Sequence, residues 1–522
     1  MIASVSISGD PNFAPVTIDG SAAGSATGLR LAGADSSLDG VTIRRFGLWG
    51  LRVDADRIGV SNVEITENHL TGVLFSASSG TLTGSFVAGN LGAGVEFAGN
   101  GNRMTKTIVG GTNSAGGVIL SGNSNVLASV FNGIGGNQIF QNSGFGLLVS
   151  GSDNSVTDTT VSSNLGPGIL VSGNRNQIGA LIGFAAYGVN LVDGNQGSGI
   201  EVAGGDQNSL WANHVGLSAL NGGAAVFVHS GATRTTVVQC DLHYGAGIGV
   251  RVGTDLVDAA TTRTDIGTNS FTGSGMWIDL AGDGPTANDP CDADTGPNEL
   301  QNWPIVTAAS EAGFVTLTAT LNSKPLQTFT VFFYSIVSSG KSEYLGLLLL
   351  STDAACNAGG VAIFPVSNPL DRLYLATATS TAGSTSEFSP AVAATPPPPR
   401  SFYTLAPCRV VDTRGPIGPL GGPDLVAFGT RQFPLAGACA IPATAKALSI
   451  NVTVTHSGDS GDLRIYPAGA ALPLTSTINY RVGQTRANNA IVTLGPAGDL
   501  SVFCEQPLGG VDLIIDVNGY FQ

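Results

Sequence analysis

Charged residues make up only 11% of this 522-residue sequence, against a usual quarter, and the chain has few histidines, cysteines, methionines or tryptophans. The 22 Lys/Arg face 37 Asp/Glu, a net −15. Nucleic-acid binding needs basic side chains to neutralise phosphates, so that class is excluded, and an anionic membrane surface with it. Six scattered cysteines exclude a dense disulfide scaffold and a cysteine-rich zinc site; they fit a secreted protein with one or two disulfides. The five histidines (His69, His214, His229, His243, His456) show no metal-ligand spacing and read as surface positions. No Gly-x-Ser-x-Gly elbow and no phosphate-binding loop occurs, and a Cys/His nucleophile has few residues to draw on. The longest aliphatic run, Tyr344–Leu350, is far below the ~20 residues of a membrane-spanning helix. Met1-Ile-Ala-Ser-Val has neither the basic start nor the apolar stretch of a signal peptide, and Met1 reads as a truncation point.

Scarcity of charge does not mean disorder, because 42% of the residues are apolar. The 74 glycines argue against a helical protein, since each costs a helix interior about 1 kcal/mol. The acidity is uneven: residues 1–302 carry 11 Lys/Arg and 24 Asp/Glu, and the rest is close to balanced.

A unit of glycine, apolar, any residue, apolar recurs through the first 300 residues. It appears as Gly28-Leu-Arg-Leu, Gly50-Leu-Arg-Val, Gly72-Val-Leu-Phe, Gly94-Val-Glu-Phe and Gly117-Val-Ile-Leu. It continues through Gly146, Gly168, Gly199, Ala225, Gly247 and Gly275, at a base spacing of 22 residues that lengthens where loops are inserted. Each unit alternates with period 2, the mark of a short strand. Asn-rich corners such as Asn137–Asn142 and Asn174–Ile178 lie between units. A coil of this length cannot bury its own apolar face, but stacked coils make parallel sheets around a continuous core. The pattern predicts a parallel β-helix in which Leu29, Leu51, Val73, Val95, Val118, Leu147, Ile169 and Ile200 form one buried column.

These motifs resemble the right-handed parallel β-helix of the pectate-lyase-like superfamily, in its Asn/Gly-rich bacterial surface-protein form. The stretch from Gly275 to Pro304, with Asp289-Pro-Cys-Asp-Ala-Asp294, is similar to the segment closing such helices in large secreted bacterial proteins. The resemblance implies a fold and a secreted or cell-surface setting; the fold itself hosts lyases, hydrolases, adhesins and rods.

From Trp303 the strand-like runs Val315–Leu321, Phe329–Ile336, Tyr344–Leu350, Gly360–Val366 and Leu373–Thr379 read as a β-sandwich. Thr377–Ser380 and Thr385–Ser389 resemble the Ig-like module that follows such helices. Pro396–Pro399 reads as a stiff linker. Pro407–Arg414, Asn451–Thr455, Arg486–Asn489 and Asp516–Phe521 resemble a C-terminal module of secreted bacterial proteins. The expected organisation is all-β: a β-helix over 1–302, an Ig-like sandwich over 303–392, a linker over 393–400 and a second β-sandwich-like domain over 401–522.

The middle residues of the repeat should form an outward ladder: Arg30, Arg52, Leu74, Glu96, Ile119, Leu148, Leu170, Glu201, Phe227, Gly249 and Trp277. An inverting hydrolase needs two carboxylates ~6.5–9.5 Å apart, one or two coils at ~4.8 Å each. Glu96 and Glu201 are several coils apart, which argues against catalysis on this face. The apolar rungs, with Leu74, Ile119, Leu148, Leu170, Phe227 and Trp277 as candidate contacts, mark either a binding or self-association face, or a face covered by an insertion from residues 120–145 or 172–198. The acidic closing loop offers Asp289, Asp292, Asp294 and Glu299 to a calcium ion, or is a solvated loop. Asp412 and Arg414 read as a buried structural ion pair. Cys408 and Cys439 are the expected disulfide, Cys240 with Cys291 a second, and Cys504 the odd thiol. The functional expectation is an extracellular protein acting by binding, adhesion or assembly on a glycan or cell-surface partner. The alternative is a lyase or hydrolase with its site on loop insertions.

Overall fold

The computed structural model describes residues 4–9, 16–129, 136–180, 188–311, 313–396 and 400–522. The short strands of residues 6–280 assemble into three parallel sheets of eleven strands each, in which every third strand of the sequence joins the same sheet. The first sheet runs from Ser6–Ser8 to Asp265–Gly267, the second from Val16–Asp19 to Ser270–Gly273, and the third from Leu29–Leu31 to Met276–Leu280. This is a parallel β-helix.

The alternating apolar residues fill its interior. Leu29, Leu51, Val73, Val95, Val118, Leu147, Ile169 and Ile200 stand in register, each opposite the next. All but the half-buried Leu29 of the first coil are fully buried. Fully burying each such side chain contributes roughly 1.5–3 kcal/mol. The repeat glycine is required by close approach: at Gly72 a Cβ would stand 2.7 Å from Val87 Cγ1 and 2.8 Å from the Gly94 carbonyl oxygen.

The corners turn on asparagine. Asn68, Asn90, Asn113, Asn142, Asn164, Asn195 and Asn221 stack between the second and third sheets, each Nδ2 donating to the next Oδ1 at 2.8–3.0 Å. A second column, Asn102, Asn125, Asn154, Asn176 and Asn208, accepts backbone N–H donors at the corner between the third and first sheets. A buried amide that gives and takes hydrogen bonds from coil to coil closes the corner with nearly all its polar groups paired, Asn125 Nδ2 being an exception.

Beyond the helix, residues 305–393 form two antiparallel sheets. One holds Ile305–Glu311, Phe314–Asn322 and Asn357–Pro365; the other holds Ser342–Ser351, Thr328–Ile336, Leu373–Ser380 and Val392–Ala393. The C-terminal residues form a five-stranded and a four-stranded antiparallel sheet around their own core. Its first strand, Phe402–Asp412, pairs with the last, Gly510–Phe521. Residues 1–308, 317–362 and 371–393 make one compact unit, and 309–316, 363–370 and 394–522 a second. Most of the expected linker's prolines, 397–399, lie outside the described residues.

Cys408 is bonded to Cys439 and Cys291 to Cys356, with Cα–Cα separations of 5.9 and 5.3 Å. The Cys240–Cys291 pairing is therefore corrected. Cys240 is a free, buried thiol inside an Asn corner, between Asn213 and Asn269, where burial pushes its pKa up to about 11. Cys504 is free and buried as well. No described helix is long and apolar enough to cross a membrane.

Candidate functional site: the outer face of the third sheet

The outward ladder of the third sheet is set by register. Leu74, Glu96, Ile119, Leu148, Leu170, Glu201 and Phe227 stand opposite one another on successive coils. Leu74, Ile119, Leu148 and Leu170 are half-buried by their stacking. One residue past the inward neighbour of each rung, Ser76, Ser121, Ser150 and Ser172 point outward and are exposed. The strip therefore has an apolar line, broken by Glu96, and a parallel line of hydroxyls, of which Ser76 donates to Asp54 Oδ1 at 2.5 Å and Ser121 to Glu96 Oε1 at 3.2 Å. The two insertions considered as covers leave the helix between the first and second sheets, and residues 130–135 and 181–187 within them lie outside the described residues.

The ladder differs from expectation at its C-terminal end. Phe227 pairs with Arg251, and Arg251 with Asp279, so Gly249 and Trp277 are not the next rungs. The strand Ile248-Gly-Val-Arg-Val252 has three alternating apolar residues, and it is Val250 and Val252 that continue the columns of Val226 and Val228. Trp277 instead packs against the core, its ring parallel to Phe271 at 5.6 Å and edge-on to Phe388 at 5.0 Å.

The shift gathers a cluster that the sequence did not reveal. His229 Nε2 donates to Glu201 Oε1 at 2.9 Å. Its ring stacks on Phe227 at 4.1 Å, and the Arg251 guanidinium sits 4.8 Å from the other ring's centroid as a cation–π contact. Arg251 also donates to the carbonyls of Thr254 and Ala281. Asp279 accepts the Gly282 N–H at 2.9 Å; burial raises its pKa, while Gly282 and the Arg251 charge oppose the rise. Apart from the neighbours Phe227 and His229, the clustered side chains lie 22 or more residues apart in sequence, and the signal for them is that His229 follows a rung residue by two. The opposite end is also charged: Asp54 takes both Arg30 and Arg52.

The closing loop brings Asp289, Asp292 and Asp294 together, with one oxygen of each within 4.8 Å of the others. Asp292 is buried, accepting the Asn302 N–H at 2.9 Å and the Ser323 hydroxyl at 2.7 Å. Burial lifts its pKa to about 6, and the Asp294 charge adds to the rise. Asp294 Oδ1 is enclosed without a hydrogen-bond partner among the described residues. These three are the residues that would hold a calcium ion. Glu299 is not one of them: a left-handed turn at residues 298–300 carries it to Lys324 Nζ at 3.0 Å and Ser384 Oγ at 3.3 Å. Asp412 and Arg414 are bonded at 2.7 Å but partly exposed, not buried as expected; the Arg414 hydrogen bond holds the Asp412 pKa down at about 2.

Residues 49–215 match the family described as a right handed beta helix region. The β-helix of this chain is thus of the right-handed class, and the chain as a whole is all-β. No curated protein matches the sequence. Among solved structures it is similar to the A-module of a mannuronan C-5 epimerase of Azotobacter vinelandii, at 13% identity and a TM-score of 0.31, over 49% of this chain. The chain spans 65% of that module's length. It is also similar to the enzymatically active domain of tailspike protein 2 of bacteriophage CBA120, at 9% identity and a TM-score of 0.32, covering 66% of this chain and 71% of that one.

Proposed function

We propose that the chain is an extracellular binding protein whose third sheet holds an extended glycan along its outer face. The observation that carries the reading is the strip itself. Half-buried rungs at Leu74, Ile119, Leu148 and Leu170 run beside exposed Ser76, Ser121, Ser150 and Ser172 and end in the Glu201–Phe227–His229–Arg251 cluster. Rungs repeat at ~4.8 Å over eleven coils, a straight track of roughly 50 Å suited to a linear polymer. A pyranose ring has apolar faces and a hydroxyl rim; the rungs meet the first and the serines the second. Two disulfides support an oxidising, extracellular setting.

A second reading, catalysis on the bound chain, is favoured by one observation. Glu201 and His229 form a hydrogen-bonded acid–base pair, with Arg251 and Asp279 on the following rungs.

The test is a panel of extended neutral and acidic glycans, scored for binding and for cleavage, with the native protein and with Phe227→Ala, Leu148→Lys and Glu201→Gln. Binding weakened at least tenfold by Phe227→Ala and Leu148→Lys, without turnover, supports the binding reading. Turnover abolished by Glu201→Gln replaces it with the catalytic one. A dimer in solution that Leu148→Lys dissolves, with no glycan bound, would assign the strip to self-association.

A further inference from the structure

The first sheet carries a groove on a different face of the helix, over the coils of Ser37, Gly59, Thr81 and Arg103. Its floor is Gly59, where the neighbouring strands place Ser37 and Thr81. Thr81, Thr83 and Thr105 line it with hydroxyls, and Arg103 and Lys106 stand at one end. Thr83 and Thr105 are hydrogen-bonded to each other. At the other end Asp39 accepts from Ser61 and Asn62.

Most basic side chains of the helix are taken up by a carboxylate, several of them about one coil away: Arg57 by Asp35 at 2.7 Å, Arg175 by Asp153 at 2.8 Å, and Arg234 by Asp206. Arg251, which has no carboxylate partner among the described residues, is held instead by two backbone carbonyls and the Phe227 ring. Arg103 and Lys106 are exposed, adjacent, and without a carboxylate in ion-pair contact among the described residues. Arg103 spends one N–H on the Ser129 carbonyl at 3.3 Å, leaving the rest of its fork toward the groove. In a chain with net charge −15, two neighbouring uncompensated cations at the end of a hydroxyl-lined depression form a local anion site.

We infer that this groove is a second sugar site, which takes an acidic glycan. A carboxylate or sulfate is held by Arg103 and Lys106, and the sugar hydroxyls lie along Thr81, Thr83 and Thr105 toward Asp39. The site is separate from the third-sheet strip and does not require it. Both carboxylated and sulfated sugars offer the anion, and the test separates them.

Gly59 makes that test clean. It lies in a strand with no positive φ, and a Cβ there would meet only Thr81 Oγ1, at 3.7 Å. A side chain at residue 59 fills the groove without forcing the fold. Titration calorimetry would use oligogalacturonate, a chondroitin sulfate oligosaccharide and a neutral cello-oligosaccharide at low and moderate salt. The native protein should bind one or both acidic chains, more weakly as salt rises, and more tightly than the neutral chain. Arg103→Gln with Lys106→Gln, and Gly59→Tyr, should each weaken that binding at least tenfold, while Gly59→Ala keeps the native circular-dichroism spectrum and Tm. Phe227→Ala should leave it unchanged. The proposal is overturned if no acidic chain binds, if the charge and groove variants bind as the native protein does, or if Phe227→Ala alone abolishes binding. The last result would place the acidic chain on the third sheet.

Discussion

Replacing Asn142 with leucine should destabilise the β-helix by roughly 2–4 kcal/mol, although the side chains are similar in size and the site is fully buried. Asn142 Oδ1 accepts from Asn113 Nδ2 at 2.9 Å, and its own Nδ2 donates to Asn164 Oδ1 at 2.9 Å and to the Phe140 carbonyl at 3.2 Å. Leucine removes all three. At about 0.5–1.5 kcal/mol for each hydrogen bond the three together come to roughly 1.5–4.5 kcal/mol, which brackets that range. Crowding adds to it, because Asn142 Nδ2 lies only 2.7 Å from where a Cβ on Gly117 would stand. Asn123 is the control. It is exposed and its side chain accepts the Ser152 N–H, at 2.8 Å, so Asn123→Leu should cost under about 1 kcal/mol. Urea unfolding followed by far-ultraviolet circular dichroism gives both values. If Asn142→Leu costs no more than Asn123→Leu, the asparagine columns do not hold the corners and the apolar columns alone carry the fold.

Glu387 is buried, accepting the N–H groups of Leu280 and Thr286 at 2.9 and 2.8 Å, and burial lifts its pKa to about 7. A carboxyl raised from 4.5 on folding stabilises most below pH 4.5, and that contribution of roughly 3 kcal/mol is lost as pH climbs through 7. Thermal unfolding should therefore favour pH 5 over pH 8, and Glu387→Gln should flatten the dependence; an unchanged slope refutes the assignment. Calcium should raise the Tm at pH 7, and Asp292→Asn or Asp294→Asn should remove the increment; equal increments in native and variant proteins would dismiss the aspartate trio as its site. Selective loss of the Cys291–Cys356 bridge, which spans 65 residues, should cost about 4 kcal/mol under the chain-entropy model, as read by denaturation of the Cys291→Ser/Cys356→Ser protein; a cost below about 1 kcal/mol would contradict it.

The architecture was legible because the β-helix repeats its grammar. Val73, Val95 and Val118 occupy the same place in successive units, and that place is the core. Reading failed where the unit itself is ambiguous. Ile248-Gly-Val-Arg-Val252 fits the repeat in two frames, and only the stacking of Val250 on Val226 selects the one that puts Arg251 on the ladder. The Glu201–His229 pair was missed because coil stacking turns a separation of 28 residues into 2.9 Å. Three aspartates of the closing loop were visible together in sequence, but the left-handed turn that withdraws Glu299 was not. The strand Phe402–Asp412 escaped notice because it contains Pro407 and two register irregularities.

The binding function stands or falls with the third-sheet strip. Calorimetric titration of the native protein and Phe227→Ala with an extended glycan found by the panel tests it most directly. The account predicts saturable binding that Phe227→Ala weakens at least tenfold while Arg103→Gln/Lys106→Gln leaves it unchanged for a neutral chain. Native-strength binding by Phe227→Ala, or no extended glycan bound by the native protein, would contradict it.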